Sequence, residues 1–169
     1  KLSLVIVVVL MAALTPAAAT EILGGKTRAV DLVICLDTSG SMEDLIDAAR
    51  ARVWDVVSEL SRMKPTPELR VGLLTYGTGA AGQDAGWIVR QTDLTDDLDA
   101  VYAKLMALTI GGSEEFVGRA INTAVDEMSW APENSALRIL FIAGNESADQ
   151  DADNFDFRTE ARAAKDRGI

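Results

Sequence analysis

The sequence predicts an α/β fold: a three-layer, doubly wound, mostly parallel sheet with helices on both faces. Three observations predict it. Short apolar runs alternate along the chain with segments of helical periodicity, which is the pattern of βαβ units. The first run, Val30 to Leu36, is apolar except for Asp31, as suits a strand buried on both faces. It ends abruptly in Asp37-Thr38-Ser39-Gly40-Ser41. That polar burst falls where a strand leaves its sheet, and open α/β sheets place their ligand sites there.

The elements follow in order. Val30 to Leu36 is the first strand. Met42 to Met63 carries apolar residues at Met42, Leu45, Ile46, Ala49, Val53, Val56, Val57 and Leu60, a helical spacing. Pro65 and Pro67 end it. Leu69 to Tyr76 is the second strand. Gly77 to Gly86 holds four glycines in ten residues and reads as a loop. Trp87 to Gln91 reads as a short strand. Thr95 is expected to cap a helix with apolar positions Leu98, Val101, Leu105 and Leu108. Gly111-Gly112-Ser113 breaks the chain before a helix over Phe116 to Met128. Leu137 to Ile142 is an apolar strand, Asn145 to Asp156 an acidic loop, and Phe157 to Asp166 the last helix. Gly168-Ile169 reads as a helix C-cap and the first residue of a further strand, which suggests a fragment of a longer protein.

Composition removes several function classes. The 169 residues suffice for one domain with a real core. A net charge of −10, from 26 acidic against 16 basic residues, argues against nucleic acid or an anionic membrane as partner. The chain has no His, so a Ser-His triad, a His general base and a His-ligated zinc site are excluded. Its single Cys, Cys35, permits no internal disulfide and reads as a small core residue. Lys1, the apolar stretch Leu2 to Leu14 and Ala17-Ala18-Ala19 read as a secretory signal peptide over residues 1–19. Residues 20–29 form a lead-in. The expected location is secreted or periplasmic, with membrane association only if the N-terminal segment stays uncleaved.

Asp37, Ser39 and Ser41 place three small oxygen ligands on one tight turn, which suits a hard divalent cation. A strand end with a helix N-cap accounts for one hydroxyl only. The segment Asp37-Thr38-Ser39-Gly40-Ser41-Met42 after an apolar strand resembles the first motif of the von Willebrand factor A (vWA) family. That family's metal-ion-dependent adhesion site uses D-x-S-x-S. The resemblance implies a Rossmann-like vWA-like domain over residues 30–169, incomplete at its C-terminus. The Trp87 strand is then the antiparallel edge. The two serine hydroxyls bind metal directly, and Asp37 acts through water or hydrogen bonds.

The family's second motif is a Thr after a double glycine, shortly before a helix. In Gly111-Gly112-Ser113-Glu114-Glu115-Phe116, the resemblance, counted back from Ile121, puts Glu115 in the Thr place, as in bacterial vWA proteins that carry a Glu after the double glycine. Ser113 competes if the loop is one turn shorter. Glu114 and Glu115 also suit a helix N-terminus by charge alone. The third motif is an Asp at the end of the fourth strand. Here Gly144 occupies that place, and Asn145 or Glu146 is left to supply the oxygen.

The resemblance implies a protein-binding domain rather than an enzyme. Its metal site would comprise Asp37, Ser39, Ser41 and Glu115, with Ser113, Asn145 and Glu146 as candidates for further contact. The expected cation is Mg²⁺, with Mn²⁺ and Ca²⁺ as alternatives. The expected partner is a protein ligand presenting an Asp or Glu carboxylate. The alternative is a vWA-like assembly module with a degenerate, metal-free site. A second pattern, Asp149, Asp151, Asp153 and Glu160, matches calcium-loop spacing, but Asn154 stands where the loop needs Gly. Ser61-Arg62-Met63-Lys64 is a formal S-x-x-K without its companion motifs.

Overall fold

The structure, a computed structural model, describes residues 29–79, 81–82, 86–145, 147–151 and 153–169. The expected signal peptide, all of the lead-in except Ala29, and Glu146 lie outside the described residues. Four strands and four α-helices are described: β1 (Ala29–Asp37), α1 (Ile46–Ser61), β2 (Glu68–Tyr76), β3 (Val89–Thr95), α2 (Leu98–Met106), α3 (Val117–Glu127), β4 (Ala136–Ala143) and α4 (Phe157–Asp166). The strands form one sheet in the order β3-β2-β1-β4. β1 runs parallel to both β2 and β4, and β3 is antiparallel to β2.

β1 is buried on both faces because its alternate residues feed two cores. Leu32, Ile34 and Leu36 join Val71 and Leu73 of β2 against Val53 and Val57 of α1 and Val101 and Leu105 of α2. Val33 and Cys35 join Leu74 and Tyr76 against Ala120 and Ala124 of α3. Ile121 and Val125 continue outward from α3 to Ala164 of α4. The sheet is thus the middle of three layers, as the alternation of elements predicts. Burial pushes the Cys35 thiol up to about 12, consistent with its packing role.

Three local expectations are corrected. The segment from Met42 is not one helix. A 3₁₀ turn at Gly40–Met42 precedes α1, held by Met42 N donating to Ser39 O and Leu45 N to Met42 O. The chain must leave the sheet sharply here, and three-residue hydrogen-bonded turns are tighter than α-helix. The β3 strand starts two residues later than expected and runs four further. Thr95 does not cap α2. Asp97 does, accepting from Ala100 N at 3.0 Å, a role that Asp fills more strongly than Thr. Thr95 Oγ1 instead accepts from Asp97 N at 3.1 Å.

At the N-terminal end of β1, its first charged residue is fully satisfied. Asp31 is wholly buried and accepts two hydrogen bonds from Arg70, at 2.8 and 2.6 Å. It also accepts one from Ala131 N at 2.7 Å. This joins β1, β2 and the segment before β4. Removing one member of such a group strands the others. Asp31→Ala is therefore expected to lower unfolding free energy by about 3 kcal/mol, read from urea melts. A loss within error of zero would mean that the group carries no stability.

Candidate metal centre

The parallel registers fix where the loops meet. Asp37 pairs with Tyr76 and Leu36 with Ala143, so the C-terminal ends of β1, β2 and β4 lie along one edge. Backbone hydrogen bonds then tie the loops together. Thr38 N donates to Tyr76 O at 2.9 Å, Gly111 N to Thr38 O at 2.9 Å, Gly40 N to Gly112 O at 3.0 Å and Gly79 N to Gly111 O at 2.7 Å. Gly112 has a φ of 117°, a region open to glycine. A Cβ there would overlap the backbone of Gly77 and Gly79.

Asp37 and Ser39 are buried. Asp37 Oδ1 accepts from Ser39 N at 2.8 Å, which turns the loop back on itself. Ser41, by contrast, is exposed. Its Oγ lies 3.0 Å from Ser39 Oγ, 3.3 Å from Glu115 Oε1 and 3.0 Å from Asn145 Oδ1. Glu115 is only 5 % exposed although it precedes α3. Its carboxylate faces this cluster and accepts from Gln150 Nε2 at 3.3 Å, while its N–H donates to Gln150 Oε1 at 3.2 Å. Asn145 Nδ2 donates to Ser41 O at 3.2 Å, so the first and third loops are clamped at two points.

Ser39, Ser41, Glu115 and Asn145 are therefore brought together, with Asp37 shaping the loop beneath them. Ser113 is not. It is exposed and donates to Glu114 Oε2 at 2.8 Å. Gly144 sits over Asp37 and Tyr76. Two residues here escaped the sequence reading. Gln150, which holds Glu115, lies in a loop that composition marks only as acidic. Tyr76 carries no signal beyond closing a strand. Its phenol donates to Ala143 O at 3.2 Å, and burial, with the Asp37 charge second, holds it well above the usual tyrosine range.

The cluster is rich in acceptors. Three oxygen–oxygen contacts around Ser41 share the two serine protons. With Glu115 ionised, one contact sets lone pair against lone pair. A cation among these oxygens relieves that mismatch, and an all-oxygen donor set suits Mg²⁺, Mn²⁺ or Ca²⁺. No group of three or more acidic or thiol side chains with metal-binding spacing is found among the described residues. The site thus rests on two carboxylates, two hydroxyls and an amide.

The calcium-loop pattern resolves differently. Asp151 is paired with Arg119 and accepts from Asn154 at 2.7 Å. Asp149 pairs with Arg158 at 2.8 Å, and Glu160 accepts from Asn122. These carboxylates hold the acidic loop to α3 and α4.

The model of the von Willebrand factor type A domain matches residues 31–169. The chain belongs to the von Willebrand factor type A domain family. Solved structures share its fold. Proximal thread matrix protein 1 from the mussel byssus, described with a zinc-occupied MIDAS motif, aligns at a TM-score of 0.61 and 16 % identity. The match covers 85 % of this chain and 34 % of that one. The SpRpn10 VWA domain aligns at 0.59 and 17 %, over 75 % of this chain and 65 % of that one. The pilus adhesin SpaC from Lactobacillus rhamnosus GG aligns at 0.52 and 16 %, over 69 % and 14 %. This vWA chain thus spans about a third of the mussel protein and a smaller part of the adhesin. No curated protein matches it.

The loop junction at Gly112 gives a direct test. Gly112→Ala forces both a strained backbone and an overlap with the neighbouring loop. It is expected to cost about 2–4 kcal/mol in a denaturant melt. Gly82, where a Cβ meets nothing within 4 Å, is the control. Equal tolerance at both positions would count against the loop docking described.

Proposed function

We propose that this vWA domain is a protein-binding module whose upper loops hold a divalent cation and, through it, a carboxylate of the partner. The observation that carries this reading is the acceptor excess around Ser41, a cluster buried at Glu115 and Ser39 but open at Ser41. Family membership supports it, as does the mussel protein's zinc-occupied MIDAS motif. Ser39, Ser41 and Glu115 are the residues that would ligate the ion, with Mg²⁺ preferred for an oxygen set. Mn²⁺ and Ca²⁺ share that preference. Asn145 and Glu146 are candidates for a further contact.

The chain's own residues prepare the site. Asp37 fixes the Ser39 backbone. Gln150 holds the Glu115 carboxylate and backbone together. Asn145 keeps Ser41 in place from the opposite loop. When bound, the cation supplies positive charge and an open coordination position for an acidic side chain. Without it, Asp37 and Glu115 and an overall charge of −10 repel an acidic partner. The role proposed is binding rather than catalysis. Its proposed setting is secreted or periplasmic, as residues 1–19 suggest and as the pilus and byssus origins of structural neighbours support. The second reading is a metal-free assembly module, favoured by Gly144 at the third loop.

Calorimetric titration of Mg²⁺ into chelator-stripped protein tests the proposal. Saturable binding is expected, with a rise in melting temperature of about 5 °C at saturation. Both are expected to vanish in Ser41→Ala and in Asp37→Ala. A folded wild-type protein that binds neither Mg²⁺, Mn²⁺ nor Ca²⁺ would establish the metal-free reading instead.

A further inference from the structure

The third loop carries glycine at 144, where the resemblance places an Asp, and the structure shows what lies against it. A Cβ built on Gly144 would collide with the Tyr76 hydroxyl and stand 3.2 Å from Asp37 Oδ2 and 3.3 Å from Asp37 Cβ. Tyr76 is 2 % exposed, so it has no open space to move into. Its position is fixed from both ends. The main-chain carbonyl accepts from Thr38 N and from Thr38 Oγ1 at 3.2 Å, and the hydroxyl donates to Ala143 O, the residue before Gly144. The phenol therefore belongs to the same three-loop junction as Asp37.

We propose that Tyr76 and Gly144 are a matched exchange, and that Tyr76 is the positioning residue that keeps a third-loop carboxylate out of the site. The inference rests on the cation reading above. A neutral hydroxyl fills the volume of a third-loop side chain, and the charge sits on Glu115 of the second loop instead. The third loop therefore faces the site with a neutral amide, Asn145, held against Ser41. Fewer charged ligands at an oxygen site mean weaker cation binding. The exchange sets affinity low and leaves more coordination positions for the partner.

The geometry also defines the smallest change that reverses it. Beyond the Tyr76 hydroxyl, the atoms nearest to a Cβ at 144 belong to Asp37, not to the Tyr76 ring. Tyr76→Phe consequently makes room for a side chain at 144 while keeping the ring in the core. The test uses wild type, Tyr76→Phe, Gly144→Ala, Gly144→Asp, the pair Tyr76→Phe/Gly144→Ala, and the pair Tyr76→Phe/Gly144→Asp. Each is melted without metal and titrated calorimetrically with Mg²⁺.

Gly144→Ala alone is expected to lower the melting temperature by about 5 °C, and most of that loss is expected to disappear beside Tyr76→Phe. Independent effects of the two substitutions would overturn the exchange. Tyr76→Phe/Gly144→Asp is expected to bind Mg²⁺ about tenfold more tightly than wild type, and Gly144→Asp with Tyr76 kept is expected to show no such gain. Unchanged affinity in that pair would overturn the positioning role even if the melts are coupled. Should wild type fail to bind while the pair binds, the cation reading of the native chain falls and the exchange stands as the reason. Should neither bind, both fall.

Discussion

Everything at the upper edge of this domain depends on β1 being the shared partner of two parallel strands. A parallel ladder aligns strand ends, and the pairing of Asp37 with Tyr76 and Leu36 with Ala143 brings three loops to one line. Burial on both faces enforces that register. A slip of one residue would exchange Leu32, Ile34 and Leu36 with Val33 and Cys35 between the two cores, and it would carry Asp31 away from Arg70. The buried ion pair at one end of β1 and the oxygen cluster at the other are set by the same alignment.

The second dependence is on the glycines that let the loops approach. Gly112 lies against Gly77 and Gly79 with no room for a side chain, and its carbonyl receives the Gly40 N–H. These contacts are backbone to backbone, so the loop carrying Ser39 and Ser41 is positioned without using its hydroxyls. The side-chain oxygens are left for one another and for a ligand. Glu115 gains its inward position in the same way: the chain leaving Gly112 must reach α3 at Val117, and the Gln150 amide then holds the carboxylate.

Much of this was legible in the sequence, for physical reasons. The alternation of apolar runs and helical periods states the layer order, and the boundary between Leu36 and Asp37 marks a strand end beneath a polar loop. The family resemblance singled out Glu115 with Ser113 as its rival, and the structure puts Glu115 beside Ser41 and Ser113 at the surface. Contacts across the fold were not legible. Tyr76 ends β2 as any core aromatic could, and only the register shows that its hydroxyl reaches Ala143. Gln150 looks like one more polar residue in an acidic stretch. The start of α2 is ambiguous in the sequence because Thr95 and Asp97 are both good caps, and the choice between them depends on where β3 ends.

The acidic loop has a consequence of its own. Arg119 lies over the rings of Phe116 and Phe155, 5.2 and 4.9 Å from their centroids, and pairs with Asp151. One guanidinium thus fastens the loop that carries Gln150 to the helix that follows Glu115. Losing any one member leaves a half-buried charge or a bare ring face behind. These four positions, separated by up to 39 places in the chain, are consequently not free to drift singly over evolutionary time. The lineage of this domain should change them together or keep them together, and their joint presence in a distant relative would mark the same loop anchored in the same way.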